Sequence, residues 1–448
     1  MTVKKDTETH NDTSKGMNRW IIVIGGIMIQ LALGAIYAWS AFTTPLQGVE
    51  GIAASEFAFT KTQTQAIFSA GLATFATFTI IGGRLQTKIG PRKVALIGGI
   101  LLGSGYILAS FIGANFIGKL LFIGFLAGAG IGLGYVIPIA VGVKWFPDKK
   151  GLVSGLAVAG FGLGAFFWIL LANPPSILGF TGLITKQAGN FAYTIANVDN
   201  AFRMYGIAFF LLVVLGSLVM KNPPTGWKPK GWHPVEEKTG KKSGLSLKPQ
   251  EMLKNRTFYL LWIMFFIGAL AGLMVIGNVQ NFAKNPVDGF EAYGFNAQQA
   301  IDFAVIGAAV SLPIFNGIGR VVWGQVSDKV GRRKALFTMF VFQALMMFVF
   351  FYTPANQFSF FIVAALIGFN FGGNFALFPA ATADSFGAEN LGLNYGFVFT
   401  SYGIGGIVGP ILAGAVQDAS LSFLYAFIPA AIMCIIAAFL ALLYKESQ

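Results

Sequence analysis

Long apolar runs separated by short polar segments dominate the chain. Each run is about 20 residues long or more, which is enough to cross a lipid bilayer as a helix. The pattern predicts an all-α membrane protein with twelve transmembrane helices, near residues 20–46, 61–82, 94–116, 119–143, 151–173, 202–220, 258–283, 303–326, 335–353, 358–382, 392–416 and 421–443.

The positive charges between these runs predict the orientation of the chain. If the runs alternate in direction, 25 of the 31 Lys and Arg residues fall on one side. Lys and Arg concentrate on the cytosolic side of membrane proteins. We therefore expect both termini in the cytosol of a multi-pass cell-membrane protein, the inner membrane in a Gram-negative cell. Five basic residues fall in segments predicted to be external, namely Lys61, Lys119, Lys186, Arg203 and Lys284.

The two halves of the chain repeat each other. GRLQTKIGPRKVAL (83–96) aligns with GQVSDKVGRRKALF (324–337) at an offset of 241 residues, and AGFGLG (159–164) aligns with TSYGIG (400–405) at the same offset. Six helices per repeat give both halves one orientation, so the predicted repeats are parallel.

The longest polar segment separates these repeats. It predicts four regions: a cytosolic tail over 1–19, a six-helix bundle over 20–220, a cytosolic linker over 221–257, and a second six-helix bundle with a short cytosolic tail over 258–448.

Composition excludes several classes of protein. The 448 residues are 55% hydrophobic and 11% charged, whereas a soluble domain has about 25% charged residues. The net charge of +13 is explained by the topology and does not indicate nucleic-acid binding. His10, His233 and Cys434 lie far apart, so we expect no metal site. The sequence has neither nucleotide-binding glycine motif, and we expect no cofactor and no enzyme activity.

Two basic loops resemble the signature of the major facilitator superfamily. Both have the form G-x-x-x-x-K-x-G-x-R-K, at 83–93 and 324–334. The second copy has Asp328, whereas the first has Thr87 where the family usually has an acid. The resemblance implies a twelve-helix fold and secondary transport.

Four further stretches narrow the resemblance within that superfamily. They look like the oxalate/formate antiporter family, and the third is also similar to the eighth-helix motif of the related monocarboxylate transporters. The stretches are LALGAIYAWSAF (31–42), KWFPDKKGLVSG (144–155), NGIGRVVWGQVSDKVGRRK (316–334) and LNYGFVFTSYG (393–403).

Arg320 is the principal candidate for substrate binding. It lies eight residues before Asp328, roughly 12 Å from the cytosolic end of its predicted helix. A charge inside the membrane costs about 2.5–3.5 kcal/mol by insertion scales. The predicted spans contain no acidic residue, so we predict that Arg320 binds a substrate carboxylate through two hydrogen bonds. The alternative is a structural or snorkelling arginine.

Asn316 precedes Arg320 by one helical turn and shares its helix face. It is predicted either to contact the substrate or to join two helices by a hydrogen bond.

The family resemblance implies further residues around the same cavity. Tyr402 stands where the oxalate transporter carries a lysine, and Phe161 is its repeat partner at the 241-residue offset. For each aromatic residue the alternative is packing in the core. The remaining aromatic candidates are Tyr37, Tyr135, Phe371, Phe375 and Phe399.

One fixed positive charge in an aromatic cavity favours a monoanionic substrate, because a dianion would leave one charge unpaired in a low-dielectric site. We therefore predict a secondary transporter of small monocarboxylates, of the formate, lactate or pyruvate class, that works by alternating access as a monomer. A proton or a counter-anion remains open as the coupled species. The alternatives are an oxalate or dicarboxylate–formate antiporter and a non-transporting membrane sensor.

Overall fold

The computed structural model describes residues 18–47, 55–146, 150–175, 178–179, 181–184, 193–224, 229, 247–387, 390–420 and 422–445. His10, His233, Lys186, most of the predicted N-terminal tail and much of the predicted linker lie outside these residues.

Twelve long helices account for most of the described chain. The first six are α1 (Trp20–Leu33, continued by a 3₁₀ turn at Gly34–Ala38 and a short helix at Ser40–Leu46), α2 (Lys61–Ile89), α3 (Pro91–Ala109), α4 (Phe116–Lys119, a π-helical stretch at Leu120–Ala127, and Gly128–Trp145), α5 (Lys150–Ala172) and α6 (Ile195–Ser217).

The second six helices follow in the same order. They are α7 (Arg256–Ala283), α8 (Ala297–Ile306, a π-helical turn at Gly307–Ser311, and Leu312–Val330), α9 (Arg332–Phe350), α10 (Gln357–Phe386), α11 (Leu391–Ser420) and α12 (Leu424–Leu443). Short helical turns at Pro249–Met252, Phe290–Tyr293 and Thr353–Ala355 complete the described helices.

These helices confirm the predicted all-α membrane architecture. Eleven of them are long and apolar enough to cross a membrane, and α5 contributes a shorter apolar stretch at Val158–Ala172.

Four predicted helix boundaries were wrong by six or seven residues. Three helices extend into polar sequence: α2 runs to Ile89 instead of ending near 82, α6 begins at Ile195 instead of near 202, and α8 begins at Ala297 instead of near 303. In contrast, α3 ends at Ala109 instead of near 116. Thr194 caps α6 by accepting a hydrogen bond from the Asn197 amide at 3.3 Å. Such caps satisfy the first helical N–H groups, so the helix can begin before its apolar run does.

Lys119, the first residue of the predicted span 119–143, has a buried environment that the sequence did not reveal. It lies in the first turn of α4 and is fully buried. Its ammonium pairs with Asp199 in α6 at 2.7 Å and donates to the Ala109 carbonyl at 3.0 Å. Asp199 therefore lies within α6 and is the ion-pair partner of Lys119. This ion pair connects α4 to α6.

The repeat extends to backbone conformation. Gly90 ends α2 and Gly331 ends α8, with φ of +88° and +89°, a conformation that favours glycine. The side-chain contacts next to these two glycines differ, however. In the second half Arg332 contacts Asp328 at 2.7 Å and Asp384 at 2.9 Å. In the first half Thr87 instead donates to the Arg84 carbonyl at 2.7 Å.

Glycines let α8 and α10 pack backbone against backbone. A Cβ atom at Gly319 would lie 1.9 Å from the Phe369 carbonyl oxygen, and one at Gly372 would lie 2.1 Å from the Asn316 carbonyl oxygen. Small residues allow such close approach between helices in lipid. The contact holds the part of α8 that carries Arg320.

We expect Gly319→Ala to destabilise the protein by about 1–3 kcal/mol, the usual cost of overpacking. Thermal unfolding of the purified protein in detergent would measure the change. Gly324→Ala is the matched control on the same helix, since its Cβ would meet Ala376 at an ordinary 3.6 Å. Equal unfolding temperatures for the two variants would contradict the close contact.

Candidate functional site

Arg320 is buried on α8, with 5% of its surface exposed. Its Nε donates a hydrogen bond to Asn316 Oδ1 at 2.9 Å. The guanidinium carbon lies 4.2 Å from the centre of the Phe375 ring, a cation–π contact. Nη1 and Nη2 form no hydrogen bond of standard distance and angle with a described residue, and the Tyr37 and Tyr135 hydroxyls lie beside the guanidinium. The two outer nitrogens of the guanidinium are thus held in place and available to an anion.

Asn316 contacts the Arg320 guanidinium directly. Its oxygen accepts the hydrogen bond from Arg320 within the same helix, so it orients the guanidinium. A Cβ atom at Gly162 of α5 would lie 3.1 Å from this oxygen and 3.7 Å from Arg320 Nε. The first half of the chain therefore meets Arg320 through the backbone of α5, and Arg320 lies between the two halves.

The 3₁₀ turn of α1 brings Tyr37 to the same place. Gly34 packs directly on α5, since a Cβ there would lie 2.1 Å from the Phe161 carbonyl oxygen. The Tyr37 ring lies edge-on to Phe161 at 5.1 Å. Its hydroxyl shares a hydrogen bond of 3.0 Å with the Tyr402 hydroxyl of α11. This bond joins the two halves of the protein.

The structure brings all nine predicted site residues into one cluster, which we call the central cluster. Tyr135 contacts Phe161 at 5.2 Å and stacks on Phe399 at 5.9 Å. The other ring contacts connect Tyr37 to Phe371, Phe371 to Phe375, Phe375 to Tyr402, and Phe399 to Tyr402. Tyr37 and Tyr135 also lie within electrostatic range of the guanidinium.

Sequence reasoning missed three aromatic members of this cluster. Phe75 of α2 lies 5.7 Å from both Phe161 and Tyr402, and Phe265 and Tyr395 both contact Phe399. The repeat held a signal for Phe75, because the 241-residue offset pairs it with Asn316. Phe265 and Tyr395 have no comparable signal apart from the position of Tyr395 in the quoted stretch 393–403.

The central cluster is closely packed in this conformation. A cavity of about 10 Å³ adjoins it, lined in part by Tyr37, Gly162 and Asn316. That volume accommodates about one water molecule. A carboxylate therefore needs the halves to separate before it reaches Arg320.

A family model described as Major Facilitator Superfamily matches residues 22–295 and 289–447, so that it covers both six-helix halves. The chain belongs to the Major Facilitator Superfamily. Membership of this superfamily and the transporter names of its relatives indicate a transporter and not an enzyme.

Three relatives support the resemblance to the oxalate/formate antiporter family. The Uncharacterized MFS-type transporter YhjX of Escherichia coli is 31% identical over 87% of this chain and 86% of the relative. The Oxalate:formate antiporter of Oxalobacter formigenes is 29% identical over 91% and 87%. Apicoplast pyruvate carrier 1 of Toxoplasma gondii is 26% identical over 88% and 83%.

The two halves of this major facilitator protein are joined on the side predicted to be external. The Gln65 amide donates to the Gly277 carbonyl at 3.1 Å, and Lys284 donates to the Thr44 hydroxyl. At the start of α2, the Thr62 amide donates to Asp418 Oδ2 of α11 at 3.1 Å, and the Thr62 hydroxyl donates to the same oxygen. A carboxylate at the N-terminal end of a helix is favoured by the helix dipole.

We expect Asp418→Asn to weaken this closure by about 0.5–1 kcal/mol, the usual value of a charge at a helix end. Opening on this side should then increase about two- to fivefold. The labelling rate of Gln65→Cys by a membrane-impermeant maleimide would measure it. Glu56→Gln is the matched control, because Glu56 accepts from the Ile195 amide within the first half at 2.7 Å. An unchanged rate in Asp418→Asn would contradict the proposed closure.

Proposed function

We propose that this protein is a secondary transporter of small monocarboxylates, of the formate, lactate or pyruvate class. The observation that carries the proposal is Arg320, buried between the halves with Nη1 and Nη2 unpaired among the described residues. Buried donors are nearly always hydrogen-bonded in proteins. A carboxylate would satisfy both nitrogens at once in the two-point geometry that guanidinium favours.

The charge of the central cluster supports a monoanion. Its members other than Arg320 are uncharged asparagine, tyrosine and phenylalanine side chains. One carboxylate neutralises the one guanidinium. A dianion would bring a second charge into an aromatic environment, where an unpaired ion costs several kcal/mol.

Alternating access follows from the position of the cluster between two parallel repeats. Residues from α1, α2, α4 and α5 meet residues from α7, α8, α10 and α11 around Arg320. Rocking of one half against the other would open the cluster to one side of the membrane and close it to the other.

We also propose the cell membrane as the location, with both termini in the cytosol and a monomer as the working unit. Either a counter-anion or a proton would accompany the substrate. Exchange fits the central cluster well. An empty carrier would have to reorient with Arg320 buried and unpaired, which is unfavourable, so a bound anion would be needed in each direction.

A second candidate is exchange of oxalate or another dicarboxylate for formate. It is favoured by one relative, the Oxalate:formate antiporter, at 29% identity. The absence of a second cation among the residues of the central cluster argues for the monocarboxylate.

Uptake and counterflow in proteoliposomes would test both candidates. The purified protein would be supplied with labelled formate, lactate, pyruvate and oxalate, with and without each anion inside and with and without a pH gradient. Uptake of a monocarboxylate in preference to oxalate is the expected result. Preference for oxalate would support the second candidate, and transport of none of these anions would overturn the proposal.

A further inference from the structure

A second polar cavity lies between the halves, about one and a half to two helical turns beyond the central cluster on the side predicted to be external. We call it the outer cavity. Its volume is about 90 Å³, and Thr44, Lys61, Asn281 and Lys284 contribute to its lining. Thr44 follows Tyr37 by seven residues, which corresponds to roughly 10 Å along α1. The outer cavity thus lies in the direction from which an external substrate would approach.

The donors of the outer cavity are arranged for an anion. Asn281 is only 7% exposed, and its Nδ2 has no hydrogen-bond partner among the described residues. The Lys61 ammonium forms no hydrogen bond or ion pair with any described residue. Lys284 donates to the Thr44 hydroxyl across the cavity. An unpaired buried amide donor that shares a cavity with two lysines indicates a ligand with acceptor oxygens.

The lining of the outer cavity contains two lysines and one carboxylate, that of Glu291. Two carboxylates outside this lining, those of Asp418 and Asp288, also attract Lys61. Each is held by other donors, Asp418 by the amide and hydroxyl of Thr62 and Asp288 by the Phe423 amide at 2.7 Å. Tyr193 also lines the outer cavity, and burial raises its pKa to about 12, so that its phenol stays neutral at physiological pH.

We propose that the outer cavity is a second anion subsite, which binds the carboxylate of an external substrate before it reaches Arg320. The inference rests on the proposed function for the class of anion. Lys61 and Lys284 supply the charge, and Asn281 Nδ2 supplies a directed hydrogen bond. A cavity of about 10–15 Å³ on this measure holds one water molecule, so the volume of 90 Å³ holds several, which suits a small carboxylate.

Protection of the lysines from acylation would test the subsite. The purified full chain in detergent, in which both faces are accessible, would be treated with an acetylating reagent, with and without formate or lactate, and modification would be quantified by mass spectrometry. We expect the anion to slow acetylation of Lys61 and Lys284 at least about threefold and to leave Lys334 and Lys445 unchanged. The same protection is expected in Arg320→Gln, in which the central cluster has lost its cation.

The Arg320→Gln result separates the two sites. Protection that disappears in Arg320→Gln would mean that the anion acts only at the central cluster, and the outer subsite would be rejected. Absence of protection in the wild type at saturating substrate would also reject it. If the wild type transports no carboxylate but the lysines are still protected, the proposed function fails and the subsite remains.

A kinetic measurement covers the case in which Arg320→Gln does not fold. Asn281→Leu keeps the size of the side chain and removes the donor, so the KM for external substrate should rise at least about threefold, and by more than the maximal rate falls. Arg203→Gln is the control for general surface charge, because Arg203 contacts Ser110 and Phe111 in the turn that follows α3. An equal effect of the two substitutions would overturn the proposal.

Discussion

Replacement of Arg320 by lysine is expected to lower carboxylate uptake by about 100-fold or more while the protein stays folded. Lysine keeps the positive charge but has a single nitrogen in place of a planar fork. Arg320 Nε binds Asn316 while Nη1 and Nη2 remain available. A single lysine ammonium cannot bind Asn316 and also offer two further nitrogens to a carboxylate. It also loses the contact between the guanidinium carbon and the Phe375 ring. A 100-fold loss corresponds to about 2.8 kcal/mol.

Initial uptake rates in proteoliposomes, normalised to incorporated protein, would measure this loss, and thermal unfolding would establish that the variant is folded. Arg203→Lys is the matched control, since Arg203 lies in α6 away from the central cluster. Uptake by Arg320→Lys within about twofold of the wild type would show that Arg320 needs only its charge and would remove the two-point contact from the proposal.

The sequence predicted the architecture well because lipid imposes strong constraints. Apolar runs of helix-spanning length reflect the bilayer directly, and the 241-residue offset revealed the repeat. The repeat extends to the backbone, because the equivalent residues Gly90 and Gly331 share one conformation. The errors fell at helix ends. Caps and polar turns extend α2 and α6 beyond their apolar runs, whereas α3 ends at Ala109 before its apolar run does.

Contacts between distant helices were harder to predict. In a transmembrane helix nearly every face is apolar, so hydropathy does not distinguish a lipid-facing phenylalanine from one in the core. Phe75 and Phe265 were missed for this reason, although both contact Tyr402. The burial of Lys119 with Asp199 was missed because the pair joins two helix ends 80 residues apart.

The role of Asn316 also needed the structure. Its spacing from Arg320 predicted a shared helix face, but not which atom would take the bond. The hydrogen bond from Nε to Oδ1 at 2.9 Å uses the inner nitrogen of the guanidinium and leaves the outer two for a ligand. Asn316 therefore fixes the orientation in which Arg320 presents its two outer nitrogens to an anion.

Tyr402→Lys is expected to shift the preference of the transporter from monocarboxylates towards oxalate by about 100-fold or more. Tyr402 is fully buried in the central cluster, with ring contacts to Phe399 at 4.7 Å and Phe375 at 5.5 Å. A lysine here would add a second cation near Arg320. With a dianion bound, this second cation would pair with the second carboxylate. With a monoanion bound, it would leave one positive charge unpaired, and an unpaired charge costs several kcal/mol in a dry site.

Competition of unlabelled oxalate and formate against labelled substrate, in both proteins, would measure this shift. The surrounding rings and the Tyr37 hydroxyl can hold the new ammonium through cation–π and hydrogen-bond contacts, so a folded variant is expected. Tyr402→Met is the matched control, because methionine has the length of lysine without its charge and should leave the oxalate-to-formate ratio within about threefold of the wild type. A folded Tyr402→Lys protein with an unchanged ratio would show that residue 402 does not face the substrate. A wild type that already prefers oxalate would refute selection by a single cation.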